Sequence, residues 1–176
     1  MSNLEKTKRN LAFSIPHSLF SNGYTFIEIL VALTLVALIF GIGYVNFRDF
    51  SRRQALTGVA RSIMGDLRLA QEQALSGKKP ASLVCNSPNS LDGYYFRVVS
   101  AQNYVLEANC TGGTVQTKTV TIASDISMST PSPNPILFKV LGKGTNISGP
   151  SAILTLTQAQ TSYSRTITVT LGGEIK

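Results

Sequence analysis

Glu28 is the one charged residue in the 22-residue apolar run 24–45. An acid costs about 2.5 to 3.5 kcal/mol at mid-membrane, less near an end, and acids in such places have partners. The chemistry Glu28 offers is ionic: a carboxylate and an ammonium, each costly alone in apolar surroundings, offset each other when they meet. Cys85 and Cys110 are the two cysteines, 25 residues apart. In an exported domain a disulfide closing that loop stabilises by about 3 kcal/mol; in a cytosolic protein the same pair reads as two free thiols. The single histidine, His17, precedes the apolar run. If the segment before the run is removed, no histidine remains. That excludes His-based acid–base catalysis, Ser–His and Cys–His nucleophiles and the usual zinc sites. Seven acids follow Glu28, scattered singly, and there is no Gly-rich phosphate loop. No catalytic residue, metal site or cofactor is expected.

The elements that position these residues follow from length and pattern. The chain of 176 residues has room for one modest globular domain plus the apolar segment. Hydrophobic content of 43% with 14% charged residues suits a packed domain and is too apolar for disorder. Of the formal net charge of +7, the first 23 residues carry Lys6, Lys8 and Arg9 against Glu5, which leaves 13 basic and 8 acidic residues beyond them. This excess is spread out, a weak attraction for an anionic partner.

As a helix, residues 24–45 would be about 33 Å long, enough to cross a bilayer core. A secretory signal carries its small-residue cleavage site after the apolar core, but here Asn46, Phe47 and Arg48 follow, and Gly23 stands before it. Two readings fit: a signal anchor with Lys6, Lys8 and Arg9 kept cytoplasmic, or cleavage after Gly23 that leaves the apolar helix on the mature chain. Beyond Val45, Phe47, Phe50, Leu56, Val59, Ile63, Leu67, Ala70 and Ala74 recur at helical spacings. Arg48, Arg52, Arg53, Arg61 and Arg68 fill the other face, which reads as a solvated or subunit-contacting surface rather than a DNA stripe. Ser76-Gly77 then stops the helix, followed by Lys78, Lys79 and Pro80. From there strands are expected at 82–85, 94–99, 104–108, 115–123, 136–141, 153–157 and 165–171. Breaks are expected at 86–89, Asp92-Gly93, Gly112-Gly113, 131–135, 142–149 and Gly172-Gly173. The fold class is α+β, a long amino-terminal helix packed on an antiparallel sheet head.

Gly23-Tyr24-Thr25-Phe26-Ile27-Glu28-Ile29-Leu30 resembles the class III signal of type IV pilins and type II secretion pseudopilins, whose usual form is Gly-Phe-Thr-Leu-Ile-Glu. Tyr24 and Phe26 depart from it while keeping an aromatic and an apolar side chain. The resemblance implies cleavage after Gly23 by prepilin peptidase and N-methylation of Tyr24. It also implies that Glu28, then the fifth residue, pairs with the amino terminus of a neighbouring subunit. On this reading residues 1–23 are a leader, 24–45 a transmembrane and filament-core helix, 46–79 the amphipathic helix of the head, and 80–176 the β-rich head.

The order of features narrows the resemblance. The helix end Leu67-Arg68-Leu69-Ala70-Gln71-Glu72-Gln73-Ala74-Leu75-Ser76-Gly77 leads to Leu83-Val84-Cys85. Later come Phe138-Lys139-Val140-Leu141-Gly142 and the terminal run from Ser164 to Lys176. Together they are similar to the H-type minor pseudopilins of type II secretion and their FimT relatives. The family implies a structural subunit of a pseudopilus or type IV pilus. Its partners would be other pilin subunits, the peptidase, the inner-membrane assembly platform and membrane lipid, with the head outside the cytoplasmic membrane. The alternative is a FimT-like head that binds DNA for uptake, with Lys118, Lys139, Lys143, Arg165 and Lys176 as its patch. Those DNA receptors carry a basic Gly-Arg-x-Arg tail, whereas Gly173-Glu174-Ile175-Lys176 puts an acid where an arginine is expected.

Overall fold

The computed structural model describes residues 23–176; the expected leader, with Lys6, Lys8, Arg9 and His17, lies outside the described residues apart from Gly23. The chain divides into two compact units, Met1–Tyr44 and Val45–Lys176. Helix α1, Phe26–Leu75, contributes to both.

In the first unit α1 begins where the apolar run begins. Thr25 caps it, its Oγ1 accepting the Glu28 N–H at 3.3 Å and its carbonyl the same N–H at 3.1 Å. Large apolar side chains from Phe26 to Phe40 are exposed in the isolated chain. Side chains of the run are described without a break to Gly41, and among the described residues no helix is long and apolar enough to cross a membrane.

In the second unit α1 ends in a Schellman cap. Gly77 is left-handed at φ 61°, the Gly77 N–H donates to Ala74 O at 3.1 Å, and the Lys78 N–H to Gln73 O at 3.1 Å. Seven antiparallel strands follow. β1 (Leu91–Val98), β2 (Asn103–Cys110), β3 (Gly113–Thr121) and β5 (Ile136–Lys139) form one sheet in the order β3-β2-β1-β5. β4 (Ile126–Met128), β6 (Ser151–Gln158) and β7 (Ser164–Thr170) form a second, in the order β4-β6-β7. One core joins the helix stripe Leu56, Ala60, Ile63, Leu67, Ala70 and Ala74 to Tyr94, Phe96, Tyr104, Leu106 and Phe138 of the first sheet and to Ile126, Leu154, Leu156, Ile167 and Val169 of the second. The α+β expectation holds.

Several local expectations are corrected. Residues 82–85 form no strand: Leu83–Cys85 is a single 3₁₀ turn capped by Ser82, and the Val84 carbonyl accepts from Asn89 Nδ2 at 2.9 Å instead of from a neighbouring strand. Asp92-Gly93 does not break the chain but sits inside β1, beside an irregularity in its pairing with β2. Glycine is required there because a Cβ would collide with the Phe138 carbonyl of the adjacent strand. The strand expected at 136–141 stops at Lys139, since Leu141 (φ 57°) and Gly142 (φ 72°) turn the chain left-handed. The three-residue β4 is too short for alternation to reveal. Phe47 and Phe50, expected on the head-facing stripe, are 68% and 59% exposed; burial begins at Leu56.

Candidate functional site

Gly23, Tyr24 and Thr25 precede α1 as an exposed non-helical segment. Tyr24 is 77% exposed, and nothing lies within 4 Å of where a Cβ on Gly23 would stand. Among the described residues, then, nothing covers the Gly23–Tyr24 bond. Glu28 sits in the first turn of α1, where the helix dipole favours a carboxylate. Thr25 and Glu28 are spaced as a Ser/Thr-x-x-Glu capping signature, and the Thr25 half of that cap is formed. This structural duty of the pair was legible in the sequence but missed beside the pairing role. The cap uses the backbone N–H of Glu28 and leaves its carboxylate uncommitted to the helix start.

On the head, Cys85 and Cys110 form a disulfide with Cα atoms 5.4 Å apart, tying the turn after α1 to the end of β2. The pairing expected for an exported domain is present.

A second polar cluster was not anticipated. Asp66, on the buried stripe of α1 and only 7% exposed, accepts from Tyr104 Oη of β2 at 2.7 Å and from Lys118 Nζ of β3 at 2.6 Å. One carboxylate therefore ties the helix to two strands. The missed signal was an acid at a core position, four residues before Ala70 and three after Ile63. Burial pushes the Tyr104 phenol well above the usual tyrosine range, and the adjacent Asp66 carboxylate pushes it further. A raised phenol pKa means the folded state holds its proton more tightly than the unfolded one. Its contribution is complete below the ordinary value of 10.0 and is lost as pH climbs beyond it. Tyr104→Phe is therefore expected to cost about 1 to 2 kcal/mol at neutral pH, by stranding an acceptor, and to flatten the loss of stability above pH 10. Unfolding curves across neutral and alkaline pH measure both, and identical alkaline slopes in the two proteins would contradict the assignment.

The basic residues considered for DNA stand on several elements of the head. Lys139 and Lys143 bracket the turn after β5. Arg165 stands at the start of β7, opposite Leu156. Lys176 pairs its backbone with Thr168 and its ammonium with Glu174 at 3.2 Å. Lys118 is committed to Asp66. Arg165 lies instead across a cleft from Arg53, whose guanidinium stacks 3.7 Å from the centre of the Tyr163 ring. Among the described residues no group of three or more His, Cys, Asp or Glu could hold a metal ion.

The sequence pattern of the family described as type II transport protein GspH matches residues 59–173, more than half of the chain. The matched part runs from the second half of α1 through the two sheets, and the segment around Gly23 and Glu28 precedes it. Searches of curated proteins and of solved structures gave no match.

Proposed function

Because the chain belongs to the type II transport protein GspH family, we propose that it is a minor pseudopilin, a structural subunit of a secretion pseudopilus. Residues 24–45 anchor it in the cytoplasmic membrane before assembly, with the head on the outer side. Prepilin peptidase cuts after Gly23, Tyr24 becomes the N-methylated amino terminus, and the helix then moves into the filament among other pseudopilins on the inner-membrane assembly platform. The observation that carries the reading is an exposed Gly23–Tyr24 bond immediately before an apolar helix whose first turn holds Glu28. The exposed apolar side chains of Phe26 to Phe40, and Phe47 and Phe50 beyond them, support it: they are surface that lipid or neighbouring helices would cover. The anchor itself rests on the sequence of the run through Val45.

The test is chemical. Sequencing the mature protein from membranes of cells with an intact peptidase should return methylated Tyr24 as the first residue, and Gly23→Ala should leave the precursor uncut. A mature chain beginning at Met1, or anywhere other than Tyr24, overturns the processing scheme. DNA uptake is the less supported alternative, because Glu174 neutralises Lys176 and Asp66 engages Lys118.

A further inference from the structure

We propose that the cleft between α1 and the β6–β7 hairpin binds the phosphate of an anionic lipid headgroup. It encloses about 190 Å³ and is lined by Arg53, Leu56, Thr57, Tyr163, Ser164 and Arg165. Two guanidiniums face it with no acid on its walls. The ion pairs of the described residues engage Asp49, Asp66, Glu107 and Glu174, none of them with Arg53 or Arg165. Stacking on Tyr163 fixes the Arg53 side chain and leaves its N–H groups to a ligand, so little rotamer freedom remains to be lost on binding. Arginine suits this task because its planar fork matches two phosphate oxygens.

The hairpin that presents Tyr163, Ser164 and Arg165 is held rigid from inside. Gln158 is fully buried, and its Oε1 accepts from the Gln160 N–H at 2.9 Å, the Thr161 N–H at 2.9 Å and the Thr161 hydroxyl at 3.0 Å. Its Nε2 donates to Asp125 Oδ2 at 3.2 Å and to Gln160 Oε1. The Gln158 N–H donates to the Tyr163 carbonyl at 2.8 Å, and Ser162 takes a left-handed φ of 54° to close the turn. On the facing wall the Thr57 hydroxyl donates to the Arg53 carbonyl at 2.9 Å. A connection serving only to reverse the chain needs no buried amide with five partners. This one holds its side of an anion site in place before a ligand arrives.

The choice of lipid rests on the reading of residues 24–45 as a membrane anchor. Arg53 lies eight residues past Val45, with Arg48 and Arg52 between. Basic residues following an anchor so closely in sequence suit an anionic lipid surface, and tyrosine is enriched at membrane interfaces. Each basic residue near an anionic surface adds about fivefold to affinity.

The full-length protein, in a neutral detergent, should be titrated with short-chain phosphatidylglycerol, short-chain phosphatidylcholine, inorganic phosphate and a short DNA duplex. Phosphatidylglycerol is expected to bind tightest, and Arg165→Gln to weaken it by about fivefold without moving the melting temperature. Arg53→Gln with Arg165→Gln should abolish the preference over phosphatidylcholine. Equal binding of the two lipids by the unaltered protein overturns the proposal, whatever the variants do. Inorganic phosphate binding as tightly as phosphatidylglycerol shows a bare oxyanion site and overturns the lipid assignment. DNA outcompeting the lipid, with loss in the same variants, replaces it by a nucleic-acid groove. Amino-terminal sequencing separates the two readings: a chain cut before Tyr24 without lipid preference sinks only the cleft, and an uncut chain with that preference sinks only the processing.

Discussion

Glu28→Ala is expected to leave cleavage after Gly23 intact and to cut incorporation into the pseudopilus by about a hundredfold or more. The magnitude comes from the partner. Removing one member of a buried ion pair leaves the other charge uncompensated at a cost of about 3 to 5 kcal/mol, and here the stranded charge would be the amino terminus of a neighbour. The structure adds a control, because the backbone N–H of Glu28 is capped by Thr25 Oγ1 at 3.3 Å. A loss that came from helix starting would be reproduced by Thr25→Ala, which is worth about 1 kcal/mol. It would be spared by Glu28→Gln, since glutamine also serves at this capping position. A loss that came from charge pairing has the opposite pattern: Glu28→Gln fails and Thr25→Ala largely assembles. Immunoblots of sheared filament fractions and of whole membranes read assembly and cleavage separately. Normal assembly of Glu28→Gln would refute the pairing role.

Replacing both cysteines, Cys85→Ala with Cys110→Ala, should lower the stability of the head by about 3 kcal/mol and its melting temperature by roughly 10 °C. Alanine is the suitable replacement because both sulfurs are buried, at 0% and 3% exposure, where a serine hydroxyl would add its own desolvation cost. The cross-link is not the sole tie in this corner. The Thr111 N–H donates to the Ser90 carbonyl at 2.9 Å, the Ser90 N–H to Thr111 Oγ1 at 3.0 Å, and Asn89 Nδ2 to Val84 O. The folded form of the variant should therefore retain both sheets. Urea unfolding of the two proteins under oxidising conditions measures the difference, and coincident midpoints would show that these hydrogen bonds suffice.

The large outlines of this chain are readable from pattern because they depend on period and on a few punctuating residues. The helix stripe from Leu56 to Ala74 repeats at threes and fours and is buried as that spacing requires. Gly77 ends the helix because a left-handed residue is needed there. What escaped depends on partners far away in sequence. Gly93 looked like a turn residue, yet it is selected by a carbonyl 45 positions on, at Phe138. Asp66 was one of seven scattered acids after Glu28, not singled out, while Tyr104 and Lys118 make it a buried tie. Phe47 and Phe50 keep the helical period but precede the part of α1 that packs on the sheets, so period alone assigned them to the wrong surroundings. Around Gly23 the motif was plain, and only the capping bond from Glu28 to Thr25 had to be seen.

The lysine that reaches Asp66 belongs to β3, the outermost strand of its sheet. Opposite it the register slips between Leu106 and Glu107, and Thr117 bulges, turning its hydroxyl to the Leu106 carbonyl at 3.0 Å. A bulge and a charge drawn inward are two of the devices by which sheets refuse a further strand. If the chain is the filament subunit proposed above, this has a particular value: the β3 edge of one head resists pairing with a strand of the next, as amyloid-forming segments pair, and crowded subunits are guarded there against the wrong polymer.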